Sequence, residues 1–347
     1  MDKQLLERLS NACGVTGYED EVREIMKKEL GRVCDEVEVD KFGNVVGKKG
    51  SGSPTIMLAA HMDEVGLLVK YIDENGFIRF IKMGGIDDRV LPSDQVRILS
   101  EKRQIPAMIG MKPPHLLKEE EEKKKIKYDE MFIDTGLPKE EVQKLVEVGD
   151  PAVFDVAFTD LGDGRFMGKA FDNRVGCAVL VEAMRQLESF QGTVYAVATT
   201  QEEVGLKGAR TAAYKLDPDY ALSLDTTIGG DTPDIGKHES TIELGKGPCI
   251  TVVESSGRGM VPSPKVKRHM INVAKEAEIP YQLDAWKSGM TDAAIIYMTR
   301  EGIPSGGICV PARYIHSPRG IVFGNDMDNA VKLTVEFVKR IGELEQA

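Results

Sequence analysis

The sequence predicts an α/β protein interrupted by a small β-barrel or sandwich, and three observations carry that reading. Apolar runs of strand length, at Pro54–His61, Thr193–Thr200 and Tyr220–Leu224, each lead to a polar end, as buried strands of a layered sheet do. One-faced helical periodicity recurs before, between and after them. Between Gly66 and Gly110, short β segments follow one another with Gly-rich turns and no convincing helix. A chain of 347 residues has room for a core plus an insertion. The expected division is an α/β unit in two parts, residues 1–66 and 163–347, around a β-rich insertion at 67–162.

In chain order, Tyr18 to Leu30 reads as a helix: Val22, Ile25, Met26 and Leu30 share a face, Glu19, Asp20 and Glu21 suit its positive end, and Gly31 stops it. Val33 to Val39 alternates, Asp40 to Asn44 turns, and Val45-Val46 begins a short strand. Gly50 to Pro54 then leads into the run that delivers His61, with Asp63 two residues on. The insertion follows as Gly66 to Ile72, a turn at Asp73 to Gly76, Phe77 to Ile81, Gln95 to Leu99 and Ile105 to Gly110. Its charge run, Lys118 to Lys127, pairs Glu119/Lys123, Glu120/Lys124 and Glu121/Lys125 at i,i+4, the pattern of a solvated helix or loop. His115 has no acid close beside it and reads as a structural or interface residue.

The α/β character resumes near Gly162. Asp172 precedes a helix with Cys177, Leu180, Met184 and Leu187 on one face, and taken alone it is an N-cap. Thr193–Thr200 is followed by Gln201-Glu202-Glu203, Tyr220–Leu224 ends on Asp225, and Ile308–Val310 with Ala312–Ile315 ends on His316. The last helix repeats Ala330, Thr334, Phe337, Val338 and Ile341.

Composition narrows the function classes. An apolar fraction of 41% with 29% charged residues belongs to a soluble globular protein. No run approaches the roughly 18 apolar residues of a membrane span, and the first eight residues lack a signal-peptide pattern, so the cytoplasm is expected. The five cysteines are scattered and form no CxxC pair, so buried thiols are expected rather than disulfides or a thiolate zinc site. A net charge of −11 argues against nucleic-acid and anionic-membrane partners.

The candidate site is a coincidence of ends. His61, Glu202, Glu203, Asp225 and His316 each follow an apolar run, and Asp172 opens a helix in the same half of the chain. Ordinary capped strand ends account for any one of them, but not for all six. In open α/β sheets the crevice beyond the strand C-termini binds ligands. Carboxylates crowded there raise one another's pKa, and a bound cation removes that cost. Imidazole plus carboxylate suits zinc or a similar first-row ion. Two histidines and several acids divide naturally between two ions that share a bridging carboxylate and a water. Adjacent Glu202 and Glu203 can serve as general base and ligand if the backbone turns sharply after the strand.

The ordered set His61-Met-Asp63-Glu64-Val-Gly66, Phe171-Asp172-Asn173-Arg174, Gln201-Glu202-Glu203-Val204-Gly205, Leu224-Asp225, Gly230-Asp-Thr-Pro233, Met290-Thr-Asp292-Ala293 and Arg313-Tyr-Ile-His316-Ser317-Pro318 resembles the glutamyl or deblocking aminopeptidases, dinuclear metallopeptidases that include the TET peptidases. Some members carry cellulase or endoglucanase names. The resemblance implies a mixed-sheet α/β metallopeptidase domain with an inserted β-rich domain involved in oligomer assembly. It makes Asp172 the bridging ligand, His61 and Asp225 the rest of one metal site, and Glu203 and His316 the rest of the other. Glu202 becomes the general base and Asp63 the carboxylate that orients His61. A cis peptide bond after Asp172 is also implied. Two divalent ions per subunit are expected, zinc first with cobalt or manganese as alternatives, together with short peptide substrates and a homo-oligomer between dimer and dodecamer. At Lys287-Ser288-Gly289-Met290 the bulkier Met290 departs from the family's glycine-rich pattern. The rival functions are a two-metal deacylase of N-acyl amino acids, a glycosidase, which a single tryptophan supports poorly, and a scaffold with a vestigial site.

Overall fold

The computed structural model describes residues 1–346, with the side chains of Pro114, Glu121, Glu122, Glu345 and Gln346 outside the description. Seventeen strands occur among the described residues. Before the insertion come β1 (Glu36–Val39), β2 (Val45–Ser51) and β3 (Thr55–His61). The insertion holds β4 (Gly66–Ile72), β5 (Ile78–Met83), β6 (Gln95–Leu99), β7 (Gln104–Gly110), β8 (Phe132–Asp134) and β9 (Pro151–Phe154). The remainder are β10 (Thr159–Gly162), β11 (Arg165–Gly168), β12 (Gly192–Thr199), β13 (Tyr220–Ile228), β14 (Cys249–Val253), β15 (Gln282–Ala285), β16 (Ser305–Arg313) and β17 (Gly320–Phe323).

Eleven strands form one mixed sheet whose main path is β1-β2-β12-β3-β13-β16-β17-β11-β10, with β14 and β15 branching from β16. Its centre, β12-β3-β13-β16, is parallel, and the flanking pairs are antiparallel. The apolar run of β3 is explained by burial on both faces. Ile56, Leu58 and Ala60 pack in the large core with the helices Lys3–Asn11, Asp20–Leu30 and Phe171–Gln186, while Met57 and Ala59 meet the helices Lys207–Leu216 and Ala293–Ile296 on the other face. The helix Phe171–Gln186 lies so close under β13 that a Cβ on Gly176 would sit 2.2 Å from the Leu224 carbonyl oxygen. Its predicted face, Cys177, Leu180, Met184 and Leu187, is fully buried.

The insertion closes as a six-stranded barrel, β4-β5-β8-β7-β6-β9, around Leu67, Val69, Ile78, Phe80, Val96, Ile98, Ile109 and Ile133. Of the two alternatives open from sequence, barrel or sandwich, the barrel forms. No α-helix occurs from Gly66 to Gly110, as expected; further on, Lys139–Leu145 is helical, but it buries only Val142 and so shows no periodic face. In the charge run, Glu119–Glu122 is a short helix and Lys123 lies 3.7 Å from Glu119, whereas the Glu121/Lys125 pair lies outside the described residues. His115 sits on an exposed 3-10 turn.

Four other sequence expectations are adjusted. The helix Lys3–Asn11, capped by Asp2 and burying Leu5, Leu6 and Leu9, had not been anticipated. The strand carrying Asp225 runs on to Ile228, so Asp225 is inside it and not at its end. β16 stops at Arg313, and His316 stands on the loop beyond. The C-terminal helix Gly324–Lys339 ends before Ile341, which opens a short following helix. Four cysteines are buried, Cys34 is partly so, and all five are free thiols. No described helix is long and apolar enough to cross a membrane.

Candidate metal centre

Parallel pairing brings the strand ends together. Thr199 of β12 lies opposite His61 of β3, and Ser223 of β13 lies opposite Ala59, so His61 and Asp225 emerge at one level of the sheet. Beyond β12 the backbone turns at Gln201, with φ of +53°, as the pairing of a ligand with a neighbouring base required. The Asp172–Asn173 peptide bond is cis, and Asp172 has non-helical dihedrals at the start of its helix. His316 enters from the far side of the crevice with its side chain 40% exposed.

The six residues converge. His61 Nε2 lies 3.1 Å from Asp172 Oδ1 and 3.8 Å from both Glu202 Oε2 and Asp225 Oδ1. The other oxygen of Asp172, Oδ2, is 3.3 Å from His316 Nε2, and Glu203 Oε2 is 3.4 Å from that same nitrogen. Asp172 therefore stands between two imidazoles and offers one oxygen to each. Three groupings have donor atoms close enough to hold an ion: His61/Asp172/Asp225, Asp172/Glu203/His316 and His61/Glu202/Glu203. Distance alone does not separate Glu202 from Asp225.

Asp63 anchors the turn that follows β12. Its carboxylate is fully buried; it accepts from Thr16 Oγ1 at 2.5 Å, from the Glu202 amide at 3.0 Å and from the Glu203 amide at 3.2 Å. It stands 3.4 Å from His61 Nδ1, an electrostatic contact outside hydrogen-bond geometry. Burial works against its charge, but His61, Thr16 and the backbone amide outweigh that and hold its pKa below the ordinary value.

The other carboxylates experience a different field. Burial, then the carboxylate of Asp172, pushes Glu203 up to about 8. Burial first, then neighbouring carboxylates, also drives Glu202 and Asp225 well above their usual range. Burial lowers His316, but Asp172 and Glu203 raise it to about 9. Glu203 Oε1 is buried without a hydrogen-bond partner. Four carboxylates around two imidazoles, with an orphaned buried oxygen, are costly as a protein-only arrangement, and divalent cations offset that cost. The mixed nitrogen and oxygen donors are those of zinc-type sites. The residues present fit such ions.

Two supports were not visible in the sequence. The carbonyl of Gly85, in the barrel loop after β5, accepts from His316 Nδ1 at 2.9 Å; a carbonyl can only accept, so Nδ1 carries a proton and Nε2 is the nitrogen turned to the carboxylates. Beneath the site, buried Glu64 binds Lys169 Nζ at 2.7 Å and Arg174 at 3.1 Å, tying the end of β3 to the segment that carries Asp172. The signal available for Glu64 was its place beside His61 and Asp63; for Gly85, 231 residues from His316, there was none.

A parallel-centred α/β sheet thus carries imidazoles and carboxylates at its strand ends and is interrupted by a closed barrel. The chain belongs to the M42 glutamyl aminopeptidase family, whose model matches residues 43–333. A lysyl aminopeptidase of Pyrococcus furiosus is 34% identical over 98% of both chains. A solved TET aminopeptidase from a marine-sediment Thaumarchaeota archaeon is 41% identical, with a TM-score of 0.95 over 99% of this chain and 98% of that one. The TET1 peptidase of Pyrococcus horikoshii, which assembles into a tetrahedron or a large octahedral shell, is 33% identical, with a TM-score of 0.87 over 96% and 98%. A solved protein of Thermotoga maritima named as an endoglucanase is also similar, at 31% identity and a TM-score of 0.80 over 98% of each chain. The expected family is thereby established, and with it a peptidase activity of the aminopeptidase type.

Proposed function

We propose that the chain removes the N-terminal residue from short peptides, using a two-ion centre and Glu202 as general base. The observation that carries this reading is the division of the Asp172 oxygens between two imidazoles, 3.1 Å and 3.3 Å away. On this reading Asp172 bridges, His61 and Asp225 hold one ion, and Glu203 and His316 hold the other. Zinc suits the donors best, with cobalt and manganese as alternatives. When bound, such ions acidify a shared water and polarise a carbonyl.

The protein's own groups supply the rest. Glu202 takes a proton from the attacking water and returns it to the leaving amine. Asp63, through the amides of Glu202 and Glu203, holds the two side chains in register, so base and ligand keep a fixed separation. A free α-amino group held at one of the two ions would confine cutting to chain ends.

The proposed division of labour assigns the flanking parts, expected at 1–66 and 163–347, to catalysis and the insertion, expected at 67–162, to self-association, with the boundary moved before β10 because Thr159–Gly162 pairs with β11 in the main sheet. Support comes from the assembly of the Pyrococcus horikoshii relative and from exposed apolar side chains on the insertion, including Tyr71, Met108 and Val148.

The test is a pair of substrates, leucine 4-nitroanilide and its N-acetyl counterpart, assayed with and without chelator. The free-amine substrate is hydrolysed, the blocked one is not, and chelation abolishes turnover until zinc, cobalt or manganese is restored. Release of acetate from the blocked substrate, without 4-nitroaniline, would favour the deacylase, and indifference to chelator would sink the metal reading.

A further inference from the structure

The cleft at the cluster has a volume of 550 Å³, and every ionisable residue lining it is one of the six in the candidate centre. The rest of its wall is neutral. Ile228 and Met290 face it while 53% and 48% exposed, and with Leu206, Ile315 and Trp286 they make a contiguous apolar surface beside the cluster. The wall is braced. Trp286 N donates to the Val253 carbonyl at 2.8 Å, Ser256 N to the Trp286 carbonyl at 2.9 Å, and Ser255 Oγ to the Gly289 carbonyl at 2.9 Å. Apolar groups held open by a rigid frame form a preorganised subsite.

A second recess, of 490 Å³, lies on the barrel side of His316 and does carry charge. Those charges are already matched, Arg319 with Asp94 at 2.8 Å and Asp87 with Arg89 at 2.6 Å. Among the described residues, the walls of these two recesses offer no unmatched cation for an acidic side chain and, outside the cluster itself, the apolar wall offers no carboxylate for a basic one; Lys287 and its acidic neighbours line the adjoining recess, beyond Trp286 and Ser288.

We infer that this cleft selects peptides whose N-terminal residue is uncharged and apolar, such as leucine or methionine, with Met290 and Ile228 as the specificity-determining residues. The inference rests on the aminopeptidase reading. In an exopeptidase substrate the first residue carries both the ammonium and the scissile carbonyl, so both lie against the cluster. Its side chain then falls on the wall beside the cluster, and the remainder of the peptide leaves towards solvent. A charged side chain placed on that wall would lose hydration without gaining a partner.

The experiment compares kcat/KM of the metal-loaded protein for leucyl, methionyl, glutamyl and lysyl 4-nitroanilides. Leucyl and methionyl substrates are expected to exceed the charged ones by roughly 10- to 100-fold, the ratio that burying one apolar side chain supplies. Met290→Lys should raise glutamyl relative to leucyl turnover by about tenfold, and Ile228→Ser should lower leucyl turnover by a similar factor. Both positions are exposed, so both variants should fold. Glutamyl or lysyl turnover equal to leucyl in the unaltered protein, or unchanged ratios in both variants, would overturn the subsite while leaving the aminopeptidase reading intact. No turnover of any aminoacyl substrate would overturn both.

Discussion

At the scale of single residues, the site is governed by where burial and charge compete. Asp63 and Glu203 are both carboxylates at strand ends, yet one is held below its ordinary pKa and the other is pushed up to about 8. Donors around Asp63 make the difference: a hydroxyl, two amides and an adjacent imidazole face it, whereas Glu203 meets Asp172. The same logic reaches beyond the centre to Glu254, buried and raised by that burial to about 7 against an ordinary 4.5, with Thr291 Oγ1 donating to it at 2.7 Å. Between pH 4.5 and about 7 the unfolded chain gives up this proton while the native state keeps it. The native state then binds more protons, so stability falls as pH rises through that window, and the whole penalty is present above it. Glu254→Gln removes the titration and retains an oxygen for Thr291. Thermal melts should show the variant gaining on the parent protein from pH 4.5 to 7 and levelling off above; a difference independent of pH would refute the account. Little of this was legible beforehand. His61, Asp172, Glu202, Glu203, Asp225 and His316 could be picked out because each follows an apolar run or opens a periodic helix. Glu254 also follows an apolar run, Cys249–Val253, but its environment, like that of Glu64, comes from segments distant in sequence.

At the scale of elements, periodicity located the strands better than it located their ends. The apolar run of β13 stops at Leu224, but Thr226 and Thr227 continue as β-branched residues paired to β16 through Ile228 and Ala312, so Asp225 lies inside the ladder. β16 ends earlier than its apolar pattern because Tyr314 and His316 take positive φ, at +62° and +55°. The barrel loop after β5 was unreadable as part of the site, since its contribution is a backbone carbonyl. Gly84 in that loop has φ of +85°, and a Cβ there would meet Val65 at 2.7 Å and Glu203 Oε2 at 3.2 Å. Gly84→Ala should therefore cost about 1 kcal/mol in backbone strain. By displacing Glu203 it should also lower kcat/KM of the metal-saturated protein by about 100-fold, the effect of misplacing a reacting group by an ångström. Parent-like kinetics would show that the barrel does not shape the centre.

At the scale of the whole molecule, one chain entry into the barrel and one exit from it couple two units that also touch at the site, through Gly85 with His316 and Asp94 with Arg319. On the proposed assembly, an insertion that both contributes to the centre and presents exposed apolar side chains would link assembly to activity. Light scattering should give a mass that is a multiple of 38.2 kDa, and substituting Val148 and Met108 by aspartate should reduce it; a monomer at all concentrations would refute the assembly proposal. The central claim remains the chemistry at the strand ends, and its most direct test is Glu202→Gln with metal content and turnover measured on the same sample. The account predicts two ions retained per chain and kcat reduced by at least about 100-fold. Full turnover in that variant, or loss of the ions along with the activity, would contradict the assignment of Glu202 as the base.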